Sequence, residues 1–516
     1  MSVVTAPTDN RAVAAPLRAA GALRRWLPRL AMLVAILGAA IVLRHVFAAN
    51  ADVSWQITLS EKILDGHRLY TDLIEVNPPA STFLYLPAVA LAHLLRWAPE
   101  TVIDTLVFFA ALASLAVVSH IAGRCRLLDG LDGPSVAAFA LTVMVILPAQ
   151  TFGQREHIAL IAVLPVLATL AARAQGARPL LWHCLVAGVG AGVTVCIKPY
   201  FAPAIVLAAA AAALHARSWR LLFVLENWIA AAMVAAYGIS IVVFFRAFIT
   251  DVMPLLADLY IPVRLPLAEI LTGVPMLLWG AAVLVVLSLR RGAGRRPAIP
   301  ILLAASAGFA AAYVIQGKGW PYHAYPMLAL VLIALDLAGN DRRRRAEPGG
   351  EHAGWRSLGT TLALGVVAAV SFVWFSFTAD TRAAAALVER VGPPHPSITM
   401  ISPDLGIGHP LVRTVGGRWL SRYCSLWITD NAAILRFVGG LDETRSRRIA
   451  AYEAAERQRL IGEIRDGKPD IILIDNRGYH WSEWLDADPD LSALVAADYR
   501  DVGSADGVDV LKRKGP

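Results

Sequence analysis

Asp52 is the first residue in the chain whose type and place could do chemistry. It follows the first apolar run and opens a polar stretch, Asn50 to Pro79, that also holds Asp65, Asp72, Glu75, Asn77 and the Pro78-Pro79 pair. A carboxylate so placed can take a proton from an attacking hydroxyl. Further along, Arg155-Glu156-His157, then Lys198 with Tyr200, then Lys318, Trp320 and His323 stand at the ends of other apolar runs. Ionisable groups at such positions are functional candidates by default. Three cations, Arg155, Lys198 and Lys318, alongside Asp52 and Glu75 suit an anion held next to a base. A lipid phosphate that departs as a sugar is transferred fits, with the cations stabilising its growing charge.

Each of these residues also has a plainer reading. Asp52 could cap a surface helix running from Val53 to Leu64, with Trp55 as an interfacial anchor. Glu75 could be an interface charge, and Arg155–Glu156 an internal pair that fixes helix positions. Lys198 could extend its ammonium to the headgroups, and His323 could be an interfacial residue. Capping alone does not explain why Asp65, Asp72 and Glu75 arrive in the same loop. Lys318 lies between two glycines, which let a backbone approach a ligand closely.

The elements that must position these groups follow from composition. The chain has 516 residues, 57% hydrophobic and 17% charged, with a mean hydropathy of +0.57. That balance belongs to a polytopic membrane protein. Apolar runs near the roughly 20 residues that cross a bilayer recur, at about 30–48, 102–123, 134–151, 158–173, 183–197, 201–216, 228–246, 272–289, 298–315, 322–339 and 357–378. About eleven spans are therefore expected. The basic start (Arg11, Arg18, Arg24, Arg25, Arg29) has no small-residue cleavage site after the first run, so that run reads as a retained anchor.

The net charge of +8 does not point to nucleic acid. From Asp380 onward 18 basic residues face 20 acidic ones, leaving 29 against 19 for the rest of the chain. The basic residues gather in alternate loops: Arg124/Arg126, Arg173/Arg178, Arg217/Arg220, Arg290/Arg291/Arg295/Arg296, and Arg342 to Arg345 with Arg356. Alternation of this kind marks the cytoplasmic side. It holds only if Ala80–Trp97, broken by Pro87 and His93, does not cross the membrane. The reading is an inner (plasma) membrane protein with residues 1–29 cytoplasmic, a membrane domain over 30–379 with a first outer loop at 49–100, and residues 380–516 on the outer (periplasmic) side. Every chemical candidate above then falls on the outer face. No internal repeat of the transporter kind stands out, and the four cysteines show no metal-site spacing, so no disulfide is expected.

Residues 380–516 read as a soluble α/β domain. Ser397–Ser402 and Asp470–Asp475 look like buried strands, and Val508–Arg513 like an edge strand. Asp442–Arg465 reads as an amphipathic helix carrying a Glu453–Arg457 pair. Gly406-Ile407-Gly408 lacks the third glycine of a dinucleotide loop. A structural cap is preferred to a carbohydrate-gripping lid.

The first loop, Asp52, then Gly66-His67-Arg68-Leu69-Tyr70-Thr71-Asp72, then Asn77-Pro78-Pro79, resembles that of the GT-C glycosyltransferase superfamily. It is similar to the protein O-mannosyltransferase and aminoarabinose transferase branches, and the helical body to Phe377 follows more loosely. The resemblance implies a mainly α, polytopic bundle that uses a polyprenyl-phosphate-linked sugar at the outer face, with Asp52 as the catalytic carboxylate and inversion at the sugar. Only the role of Asp52 carries over from the resemblance; Glu75, Asn77, Arg155, Glu156, His157, Lys198, Tyr200, Lys318, Trp320 and His323 are the expected substrate-binding set because the topology puts them on the same outer face. The acceptor would be an envelope glycan, lipid or protein, with membrane lipids around it. The sequence Asp52-Val53-Ser54 lacks a second acidic residue, so a divalent metal is left open rather than required. A transporter or flippase of a lipid-linked sugar, and a non-catalytic envelope assembly subunit, are the competing classes.

Overall fold

The computed structural model describes residues 11–47, 50–290, 296–345 and 353–515. Arg291 and Arg295 lie outside the described residues, as do the side chains of Arg11, Arg18, Arg24, Arg25 and Arg356. Apolar runs bounded by Pro, Gly or Arg become helices because a helix satisfies its own backbone polar groups in lipid. Among the described residues eight helices are long and apolar enough to cross a membrane, rather than the eleven expected. They are Leu27–Val46, Pro99–Arg124, Arg155–Ala174, Pro199–Ala216, Leu225–Phe244, Ala298–Gln316, Pro321–Arg345 and Leu358–Phe375.

The three remaining runs are real helices, but short. Gly133–Val145 has 13 residues, and Leu181–Ile197 and Val274–Arg290 have 17 each. At 1.5 Å per residue they are about 20–26 Å long, less than the ~30 Å hydrocarbon core. Run length overstated the first because Leu147-Pro148 ends it and a 3₁₀ turn, Ala149–Thr151, carries the chain onward. The Ala80–Trp97 segment forms two pieces, Ala80–Phe83 and Leu86–Leu95. The longer is about 15 Å, half of what a crossing needs. The apolar stretch of Pro321–Arg345 is wholly buried at the centre of the bundle, with Arg155–Ala174 beside it, while its Arg343–Arg345 end is exposed.

Beyond the last long helix lies a five-stranded sheet of order β2-β1-β3-β5-β4. β1 (Ser397–Ile401) runs parallel to β2 (Arg418–Trp419) and β3 (Ile471–Asp475), while β5 (Val508–Arg513) is antiparallel to β3 and β4 (Tyr499–Ala505). β5 is thus an interior strand, not the expected edge. β4 is the edge on that side, opposite β2, and its mixed composition hid it. The Glu443–Gly467 helix starts at an Asp442 cap, but Glu453 pairs with Arg436 and Arg457 with Asp488 instead of with each other. Gly408 is explained by packing: a Cβ there would meet Met400 Sδ at 2.7 Å.

This domain sits directly on the first loop. Trp55 stacks on His409, which stacks on Trp419, at centroid distances of 4.8 and 4.5 Å. Arg413 bridges Glu61 and Glu100, and Arg448 holds Asp258 at 2.8 Å. Lys62 donates to the carbonyl of Ser421 at 2.9 Å.

Burial lowers the Lys62 ammonium to about 8, with Glu463 opposing the shift and Arg418 adding to it. A depressed ammonium means the folded state disfavours the charge, so this contribution to stability grows as pH rises from about 8 toward the ordinary 10.5 and vanishes below. Thermal midpoints in detergent should therefore rise over that window by more in the wild type than in Lys62→Met. Parallel curves for the two would remove the assignment.

Candidate active site

The Ala51–Leu64 helix is capped by Asn50, whose side chain accepts the Asp52 N–H at 2.9 Å. The capping role considered for Asp52 therefore belongs to Asn50, and the Asp52 carboxylate is left for other partners. Its Oδ1 accepts from Arg155 Nη2 at 3.2 Å and its Oδ2 from Gln154 Nε2 at 2.9 Å. Gln154 also donates to Asn50, so one amide ties the start of the first-loop helix to the start of the Arg155–Ala174 helix. Asp52 keeps 20% of its side chain exposed, whereas Arg155 keeps 1%.

Next to this pair lies a second one. Glu156, wholly buried in the first turn of its helix, accepts from Lys198. The Lys198 ammonium also reaches Gln316 Oε1 at 3.3 Å and His323 Nε2 at 3.2 Å, and faces the Tyr322 ring at 5.4 Å. Helix ends at residues 154, 198, 316 and 323 thus meet at one point despite wide sequence separation. Two acids and two cations alternate there, a nearly neutral cluster that limits the cost of burying charge.

Several polar atoms in the cluster have no hydrogen-bond partner among the described residues: Arg155 Nε and Nη1, Glu156 Oε2, Gln154 Oε1 and His323 Nδ1. Buried polar groups are rarely left so. These atoms are concentrated beside the part-exposed Asp52 carboxylate. A cleft of about 650 Å³ lies alongside, lined by Asn50 and Val53 and by Leu37, Ile41 and Phe108 of two long helices. It joins an apolar wall to a polar end.

Other expected residues are used differently. Glu75 is buried and committed, accepting from Trp55 Nε1 at 2.6 Å and from the Asn77 backbone at 2.9 Å. It fixes the first loop and does not reach the cluster by any hydrogen bond. Asn77 is held with it, its carbonyl accepting from Tyr70. His157 accepts from the Gly153 N–H at 3.0 Å and bonds the Met144 carbonyl at 2.6 Å, which locks the turn where Gly153 takes φ +77°. Lys318 donates to the carbonyls of Tyr260 and Val263 at 2.7 and 2.6 Å and lies 4.0 Å from the Tyr260 ring centre. It anchors the 256–263 segment over the site. Burial first, then the charge on Asp52, pushes the Tyr260 phenol up, which puts that ring in the field of the carboxylate. Trp320 stacks on Tyr322 and His323 with 39% exposed, and Tyr200 is equally exposed.

Asn50, Gln154 and Gln316 are the participants that reading for charge passed over. All three are neutral amides at helix ends. Among the described residues no group of three or more His, Cys, Asp or Glu side chains is placed to hold a metal ion, and no step below runs through one.

No protein-family model matches the sequence, and no curated protein matches it. Solved structures do. ArnT from Cupriavidus metallidurans bound to undecaprenyl phosphate aligns with a TM-score of 0.54 at 14% identity, over 94% of this chain and 99% of that one. The apo state of the same protein aligns at 0.50 and 13% over the same shares. The chain therefore shares the fold of that ArnT over almost its whole length.

Proposed function

We propose that the protein is an integral-membrane glycosyltransferase that moves a sugar from a polyprenyl-phosphate donor to a hydroxyl of an envelope glycan, lipid or protein. The reaction takes place at the outer face, with the N-terminus cytoplasmic and the sheet domain extracytoplasmic. The observation that carries this reading is Asp52, part-exposed beside a buried arginine with two unused N–H-bearing nitrogens. Asp52 takes the proton of the acceptor hydroxyl as its oxygen forms the new bond to the anomeric carbon. The bond from that carbon to the phosphate oxygen breaks, and its electron pair leaves with the phosphate. Arg155 donates to the departing phosphate, where a fixed donor is worth more than water. Attack opposite the leaving group gives inversion.

Glu156, Lys198, Gln316 and His323 are positioning residues in this scheme, since Lys198 has its hydrogens on neighbours and holds Glu156 against Arg155. The adjacent cleft offers the polyprenyl chain an apolar wall ending at Asn50. Undecaprenyl phosphate in the ArnT crystal structure supports a donor of that class. The test is lipid and glycan profiling of a deletion strain. Loss of one sugar linkage with a rise in the matching polyprenyl-phosphate sugar is expected; unchanged linkages and unchanged lipid-linked pools would overturn the reading.

A further inference from the structure

At the other end of the bundle the same helices line a second, half-open cavity of about 460 Å³. Its walls come from Pro99–Arg124, Gly133–Val145, Arg155–Ala174, Ala298–Gln316 and Pro321–Arg345, with Val136, Leu164, Leu167, Ala168, Leu302 and Leu337 among the lining. Along Arg155–Ala174 the nearest lining residue, Leu164, lies about 13 Å from Arg155, and no residue of the Asp52 cluster lines the cavity. An apolar space of this size inside a membrane bundle has an apolar occupant available in the lipid chains around it.

The mouth shows which lipid. Ser119, Gly123 and Asp129 line it and are exposed. Arg296 donates to the carbonyls of Leu127 and Asp129 at 2.9 and 2.7 Å, and Arg344 to Asp129 at 2.8 Å. The Arg344 guanidinium lies directly on Gly130, where φ is +74° and any side chain would collide with it. Arg296 and Arg345 share Asp341. Arg124, Arg126 and Arg344 are exposed and make no ion pair among the described residues, while Arg343 turns away to Thr361 of the Leu358–Phe375 helix. Two exposed carboxylates, Asp129 and Asp132, stand against these three. The surplus is positive and sits at the rim of an apolar chain-sized space.

We propose that this cavity binds an anionic phospholipid, one acyl chain inside and the headgroup phosphate on the Arg344 rim. Arginine presents a planar fork of donors that matches a phosphate, and basic rims between membrane helices recognise anionic headgroups. Anchoring five helices at one end, the lipid stiffens the frame that carries the catalytic cluster at the other.

The full-length protein is placed in bilayer discs of phosphatidylcholine alone or with phosphatidylglycerol, and the thermal midpoint is measured. Phosphatidylglycerol should raise the wild-type midpoint by several degrees, and phospholipid should remain on the detergent-purified protein by native mass spectrometry. The variant Arg344→Gln should lose the shift but keep the fold. Ala168→Phe, which fills the cavity, should lose both the shift and the retained lipid. Equal stabilisation by both lipids would overturn the proposal, as would a full shift in both variants. If Ala168→Phe fails to fold, the arginine variant decides alone.

Discussion

Asp52→Asn is expected to lower sugar transfer by about 10²–10⁴-fold, the range for losing a positioned general base, with the protein still folded and inserted. The substitution keeps shape and volume at a side chain with 20% exposure. Asparagine can still accept from one of the two present donors, Arg155 Nη2 or Gln154 Nε2. The other contact becomes donor against donor unless Gln154 turns its amide and gives up its hydrogen bond to Asn50. The fold therefore has a route to accommodate the change, whereas the chemistry does not. An amide cannot take the acceptor's proton, and Arg155 loses the carboxylate that orients it. Turnover of a polyprenyl-phosphate sugar by purified protein checks this, with the thermal midpoint as control. Activity within tenfold of wild type would remove Asp52 from the base role.

The parts legible in the sequence were those set by a single physical rule. Membrane class, the C-terminal sheet and the first-loop carboxylate all follow from hydropathy, buried-strand patterning and a polar cluster against an apolar run. Span number was less legible, because an apolar run reports polarity and not helix length: Pro148 cuts one run short, and two others stop at 17 residues. β4 was missed because a strand with polar residues on both sides of its alternation gives no period-two signal. Within the site, charge drew attention to Glu75, His157 and Lys318, yet each of these holds a loop by bonding backbone or an indole. A charged side chain near a site and one holding the site together look alike in sequence. The neutral amides Asn50, Gln154 and Gln316 went unmarked for the converse reason, since an uncharged polar residue at a helix end is common and only its partners show its use.

The buried Glu156–Lys198 pair allows structure and function to be separated. Glu156→Gln leaves an ammonium, and Lys198→Met a carboxylate, buried without its partner. Each single variant should therefore lose roughly 3–5 kcal/mol of stability, the usual result of breaking a buried pair. The thermal midpoint should fall steeply in both. In Glu156→Gln/Lys198→Met no charge is left unpaired, and neutral residues of similar size often replace a buried pair at little cost, so the midpoint should return close to wild type. Transfer should not return with it. The double variant lacks the carboxylate oxygen that stands free beside Arg155 and the ammonium that joins residues 156, 198, 316 and 323 at one point. Donor KM should stay raised by tenfold or more, with a smaller fall in kcat, because the lost groups shape the donor pocket while Asp52 and Arg155 remain. A double variant that recovers both stability and donor KM would reduce the pair to a fastening between helices. One that recovers stability alone would place it in the recognition of the donor.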